Sequence, residues 1–331
     1  FLSALKRAAP ENTVAQEAYE IAARAVLHPG DLRSLTQAID RVLRLNPTAR
    51  DLTWQVRRAA ENPLAHLSLA LPEPSQRELV AWLRPRVVED PRDAYRVTLL
   101  GRLLIASGRI AAGWQFLDSL EADPTIPWSY RQRASLLPSD LGYVDELYYE
   151  RTGRELSDGA RLRVAMLAAI DRGQPGGLRE MIDQARARER ETDAPIWGTR
   201  AAASEGFLRA LEGEPVAGLA QVDSALVEYS WSTEPFRLRW LEWLVRYPET
   251  RAQARPLLDV FWPGEPAYVV PRYYVRGRLL EAEGDTAAAL QSFGRFLAIV
   301  SDADPGLLLQ VRVDSARAAM QRLSSAESVR P

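Results

Sequence analysis

The chain contains no cysteine, two histidines (His28 and His66) and a single lysine, Lys6. Without cysteine there are no disulfides, thiolate nucleophiles, iron–sulfur clusters or zinc–thiolate sites. Two histidines far apart in sequence supply no histidine-rich metal centre, so neither a metal nor another cofactor is expected. No stretch approaches eighteen unbroken apolar residues, so no membrane span is expected within the chain. Charge of one sign is missing too: 42 basic residues face 44 acidic ones, with both signs interleaved. No basic stripe of the kind that grips nucleic acid is present, and nucleic acid is not an expected partner.

Sequence motifs for catalysis are equally scarce. There is no GxxxxGK phosphate loop, no HExxH and no nucleophile elbow. The Gly-rich "RGQPGG" at 172–177 lacks the lysine and preceding strand of a phosphate loop and reads as a turn. His28, beside Pro29 and Gly30, is placed to satisfy helix-end carbonyls; His66 sits in an apolar run and reads as packing or as a surface residue. "DAD" at 302–304 supplies a helix cap. No catalytic residue is therefore expected, and the chain is not expected to be an enzyme.

What is present is apolar content, 47% over 331 residues, enough for a large core or an elongated stack. It is organised by a recurrent string. "GRLLEAEGD" at 277–285 nearly repeats "GRLLIASGR" at 101–109. Glycine inside a helix costs about 1 kcal/mol relative to alanine, so a recurrent helical glycine implies close approach of a neighbouring helix. The second glycine, seven residues on, stands where a helix ends, because glycine enters the left-handed region without a Cβ penalty.

Alignment on the second glycine extends the pattern. Around Gly284 the chain reads Tyr273-x2-Arg276-Gly277-x2-Leu280, then Ala289-x3-Phe293. Around Gly108 it reads Val97-x2-Leu100-Gly101-x2-Leu104, then Gly113-x3-Leu117 and Pro124. Around Gly30 the copy is Tyr19-x2-Ala22-Ala23-x2-Val26, then Leu35-x3-Ile39, closing at Pro47. Two further copies place Gly206 and Gly213 before Gly218-x3-Val222, and Met166 and Gly173 before Leu178-x3-Ile182. The spacing resembles the tetratricopeptide repeat, W-x2-L-G-x2-Y, then A-x3-F, then P. The 270–300 copy matches best, with Arg276 in place of leucine and no closing proline.

The resemblance implies an all-α fold: a right-handed α-solenoid of about eight helix hairpins over residues 1–323, closed by a C-terminal capping helix. The clearest units are 16–49, 94–124, 160–186, 200–227 and 270–300. Hidden pairs are expected in 51–90, 127–156 and 236–262, each broken by prolines such as Pro63, Pro138 and Pro256. In the last helix Asp304 is expected as N-cap before Pro305, with Leu309, Val313, Ala316, Met320 and Leu323 as the apolar stripe. Gln310, Arg312, Arg317 and Gln321 are expected off that stripe, and residues 324–331 as a frayed tail. "ARARERETDAP" at 185–195 reads as a helix running into a solvated turn.

Proteins with this repeat commonly grip a peptide or a partner's helix on the concave face, which implies a non-catalytic protein–protein interaction subunit or scaffold of a larger complex, a membrane complex among the candidates. The alternative is a sensory or regulatory module of a larger bacterial signalling protein. The residue after the helical glycine or alanine usually faces the groove: Arg24, Arg102 and Arg278 in the better copies, Phe207 and Leu167 in the others. Three arginines at equivalent positions suit carboxylates. A second candidate surface is aromatic. Eleven of 27 aromatic residues fall within 229–274; Phe261 and Trp262 flank a Pro-Gly turn, and Tyr274 joins them as a contact candidate, whereas Trp240, Trp243 and Tyr247 form a buried stripe. The start at Phe1 points to processing or a longer parent, and an extracytoplasmic placement is preferred to a cytoplasmic one.

Overall fold

The computed structural model describes residues 32–44, 68, 71, 73–91, 93–121, 136–227, 233–259 and 266–328. Among the described residues the structure is all helical, with no strand. The helices are α1 (Leu32–Arg44), α2 (Glu73–Glu89), α3 (Ala94–Ala106), α4 (Ile110–Glu121), α5 (Glu146–Arg151), α6 (Asp158–Arg172) and α7 (Pro175–Thr192). They continue as α8 (Pro195–Leu211), α9 (Pro215–Ala225), α10 (Glu234–Arg246), α11 (Arg251–Asp259), α12 (Val269–Glu283), α13 (Thr286–Ile299) and α14 (Leu309–Ser328).

Local chemistry sets most of the boundaries. Ser157 caps α6 by accepting the amide of Ala160, and Asp285 caps α13 through the amide of Ala288. Pro175, Pro195 and Pro215 each open a helix at its first position, where the missing N–H costs nothing. Gly108, Gly173, Gly213 and Gly284 all have positive φ, from 62° to 102°, and each ends a helix as the sequence pattern requires. Gly30 lies outside the described residues. The charged 185–195 segment is helical to Thr192 and stops at Asp193, itself left-handed at φ 51°.

The helical glycines are close-approach positions, in one shared register. A Cβ on Gly101 would meet Leu117, one on Gly206 would meet Val222, and one on Gly277 would meet Phe293, at nearest distances of 2.5, 2.6 and 2.6 Å. In each case the partner lies sixteen residues on, at the last apolar position of the aligned pattern. In the α6–α7 pair, Met166 occupies the glycine's place.

The chain divides into two compact units. Described residues of the first fall within 1–105, 111–134 and 261–269; those of the second fall within 106–110, 135–260 and 270–331. In the first, Leu35 and Ile39 of α1 are buried, and Arg96 of α3 pairs with Asp40 of α1 at 2.8 Å. In the second, α8 packs against both α7 and α9; of the expected stripe, Trp240 and Trp243 are buried, whereas Tyr247 is half-buried just past the end of α10. Trp243 meets Phe207 edge-on at 5.0 Å, and Trp240 Nε1 donates to the Leu219 carbonyl at 2.9 Å.

Three local expectations are corrected. Asp304 and Pro305 do not start the last helix, which begins at Leu309. Gly306 is left-handed, and the amides of Asp304 and Leu308 go to the carbonyls of Gly108 and Tyr143, at 2.9 and 2.8 Å, instead of entering a helix. Pro138 and Pro256 lie within helical stretches rather than between them; the α11 end around Pro256 is held because Arg272 donates to the carbonyls of Leu257 and Leu258. The last helix runs to Ser328, so 324–328 continue its final turns.

Candidate functional site

The second unit is organised around arginines that sit inside it. Arg239 of α10 is fully buried. Its Nε and Nη2 donate to the two carboxylate oxygens of Asp171 on α6, at 3.0 and 2.7 Å, the forked geometry only arginine provides. It also donates to the carbonyls of Ser139, at 2.9 Å, and Asp140. Arg312 of α14 repeats the arrangement. It donates to Glu242 through Nη2 at 2.8 Å and Nε at 3.3 Å, and through Nη1 to the carbonyls of Leu141, at 2.9 Å, and Gly142, at 3.1 Å. Two guanidiniums thus bind four successive carbonyls, 139–142, where the helical stretch around Pro138 ends in a turn; the Ser139 carbonyl also accepts the Gly142 amide at 3.0 Å. Gly142, at φ 72°, is required there: a Cβ would lie 2.7 Å from Arg312 and 3.1 Å from Arg239.

The electrostatics follow from this burial. Desolvation pushes the Asp140 carboxyl above its usual range, although Arg163, which donates to both its oxygens at 2.5 Å, and Arg239 oppose it. Glu242 goes the other way: burial raises it, but Arg312 by charge and hydrogen bonding, with Arg239 and Arg278 behind it, outweighs that and holds it low. Burial would weaken the charge on Arg312, but Glu242 and Asp171 keep it fully protonated. Burial also raises the phenol of Tyr143, whose hydroxyl donates to the Ala106 carbonyl at 2.9 Å.

Beside this network lies a cleft of about 470 Å³. Its apolar wall is Trp243, Val245, Tyr274, Val275, Leu308 and Val311; its charged groups are Asp171, Glu242, Arg172, Arg246, Arg278 and Arg312, with Gly142 at one edge. Both carboxylates are already held by Arg239 and Arg312. Arg172 pairs with Asp145. Arg246 lies over the rings of Trp243 and Tyr247, at 5.3 and 5.7 Å, with no carboxylate partner among the described residues. Arg278 donates to the Tyr274 hydroxyl at 3.2 Å and meets Glu281 only at 3.8 Å, while Arg322 holds that same carboxylate at 2.9 Å. The lining therefore offers uncommitted positive charge beside an aromatic and aliphatic surface, suited to an anionic group with an apolar body.

Of the candidate residues, Arg278 and Tyr274 come together in this cleft. Tyr274 is mostly buried, its ring against Phe293 and Phe296 and its hydroxyl donating to Ser315. Phe207 is a core residue, with no exposed surface and the Trp243 ring against it; Leu167 is likewise buried. Both are drawn inward because their helices, α8 and α6, are covered on the face that a partner was expected to reach. Arg102 is half-buried on α3 in the first unit. Arg24, Phe261 and Trp262 lie outside the described residues, as do His28 and His66.

The residues that sequence reasoning passed over are Arg163, Arg200, Arg239 and Arg246, and Arg312, expected off the apolar stripe. No local signal marked the buried four: each has an apolar residue three positions before it, but so do the exposed Arg246, Arg278 and Arg322, after Trp243, Val275 and Ala319. Among the described residues no group of three or more His, Cys, Asp or Glu side chains could hold a metal ion, and no helix is long and apolar enough to cross a membrane. Comparison with family models, with curated proteins and with solved structures finds no match to this chain.

Proposed function

We propose that this chain is a non-catalytic protein–protein interaction subunit, a right-handed α-solenoid of tetratricopeptide-like hairpins, and that the cleft of the second unit seats an acidic segment of its partner. The repeat reading is supported by the glycine register, with helical glycines at 101, 206 and 277 each facing the residue sixteen on, and by left-handed glycines ending four helices. The observation that carries the binding reading is the imbalance in the cleft: its carboxylates are consumed internally, while among the described residues Arg246 has no acidic partner and Arg278 only a distant, shared one.

The test is co-purification from membrane and soluble fractions, followed by quantitative binding of the recovered partner to the Arg246→Glu/Arg278→Glu variant. Reversing two charge contacts, each contributing about 1 kcal/mol at a part-exposed site, reduces affinity at least tenfold while helicity is unchanged. Equal binding by parent and variant refutes the cleft as the contact surface. Arg102→Glu, in the other unit, separates a general charge effect from a local one.

A further inference from the structure

One buried cation of the second unit, Arg200, stands apart from the paired ones. Arg239 is matched by Asp171, Arg312 by Glu242 and Arg163 by Asp140. Arg200 of α8 is 6% exposed, lies over the Trp197 ring at 4.6 Å, and has no carboxylate within ion-pair distance among the described residues. Its Nε has no acceptor. The aromatic face attracts the cation but accepts no guanidinium hydrogen bond in its plane. Asp140 offsets part of the charge from a distance but is already held by Arg163, which repels Arg200.

Nor does the group escape by losing its proton. Burial first, and Arg163 second, pull it down to about 9, which leaves it cationic at neutral pH. Other buried donors lack acceptors as well, among them Arg163 Nε and the hydroxyl of Ser204, one turn from Arg200 on the same face of α8. Two guanidiniums, Arg200 and Arg163, thus share the one carboxylate of Asp140, with buried donors left over on both helices, an arrangement that protein interiors avoid.

We propose that Arg200, with Arg163 beside it and Ser204 one turn along α8, holds a compact monovalent anion of the chloride class inside the second unit. One such ion closes the charge balance and accepts from N–H and O–H donors in any direction. A water molecule satisfies the donors but leaves the charge; sulfate brings two charges to a deficit of one. Neither Arg200 nor Arg163 lines the cleft beside Trp243, so this site is separate from the proposed partner surface.

The experiment is thermal unfolding of the full chain in sodium chloride, bromide or gluconate at one fixed ionic strength, with bromide located by anomalous scattering in crystals. Chloride and bromide raise Tm saturably over gluconate, by several degrees at about a hundredfold excess over Kd, and bromide appears at Arg200. Arg200→Met removes the halide dependence; Ser204→Ala moves its midpoint to higher concentration. Should Arg200→Met fail to fold, Ser204→Ala and the bromide position decide. Identical Tm in all three salts, bromide only at other positions, or an unshifted midpoint in Ser204→Ala overturns the proposal.

Discussion

Gly206→Ala sets two effects of opposite sign against each other. On helix propensity alone the change stabilises α8 by about 1 kcal/mol. Packing opposes it. The added Cβ would lie 2.6 Å from the Gly218 carbonyl oxygen, 2.6 Å from Val222 Cγ2 and 2.9 Å from the Val222 amide nitrogen. Two of these are backbone atoms, which no rotamer change can move. Gly218 reciprocates, since a Cβ there would meet the Gly206 carbonyl and the Ala210 amide. Restoring ordinary contact at about 3.4 Å requires α8 and α9 to separate by roughly 0.8 Å, a gap that forfeits a quarter to a half of the dispersion attraction along their interface. Overpacking typically costs about 1–3 kcal/mol, and rigid backbone neighbours put this case at the upper end. The net expectation is a loss of about 2 kcal/mol, read as a fall of about 1 M in the urea midpoint followed by tryptophan fluorescence. Gly176→Ala in α7, with no atom within 4 Å, is the control and is neutral or slightly stabilising. If Gly206→Ala raises the midpoint as the control does, the glycine is not a close-approach residue and the packing argument fails.

Arg239→Met removes the forked pair to Asp171 and two carbonyl contacts while keeping much of the side-chain volume. Leaving Asp171 without its partner is expected to cost about 3–5 kcal/mol in urea denaturation, and a loss below 1 kcal/mol would contradict the network as drawn. Glu242, held low by Arg312, contributes stability that is present above its unfolded pKa of about 4.3 and is lost as pH falls through the folded value. Glu242→Gln should therefore lower stability at pH 7 and flatten its decline below about pH 5; an unchanged acid limb in the variant would show that the Arg312 pair contributes nothing to folding.

The partition between chain-local and long-range information is sharp in this protein. The helix stops at Gly108, Gly173, Gly213 and Gly284 and the close approaches at Gly101, Gly206 and Gly277 were legible from the residues themselves. Each depends on the φ a residue tolerates or the space it leaves within one helix pair. The buried pair Trp240 and Trp243 was legible for the same reason, since a 3.6-residue period reports one face of one helix; Tyr247, expected with them, lies half-buried past the helix end.

Which arginines lie inside was not decided at that range. Arg239 meets carbonyls 99 and 100 residues away, and Arg312 meets carbonyls 170 and 171 residues away. An arginine looks solvent-facing in any local window until the fold brings it acceptors, and burial without them is prohibitive. The same holds for Asp304, a good cap by composition, whose amide instead reaches the Gly108 carbonyl, and for Phe207, a groove position by repeat alignment that the Trp243 ring closes over. Sequence alone determined where the helices stop and how tightly neighbouring ones pack, because those are properties of backbone conformation and side-chain volume. Only the tertiary structure decided which charges are spent inside, because pairing a buried charge is a contract between distant parts of the chain.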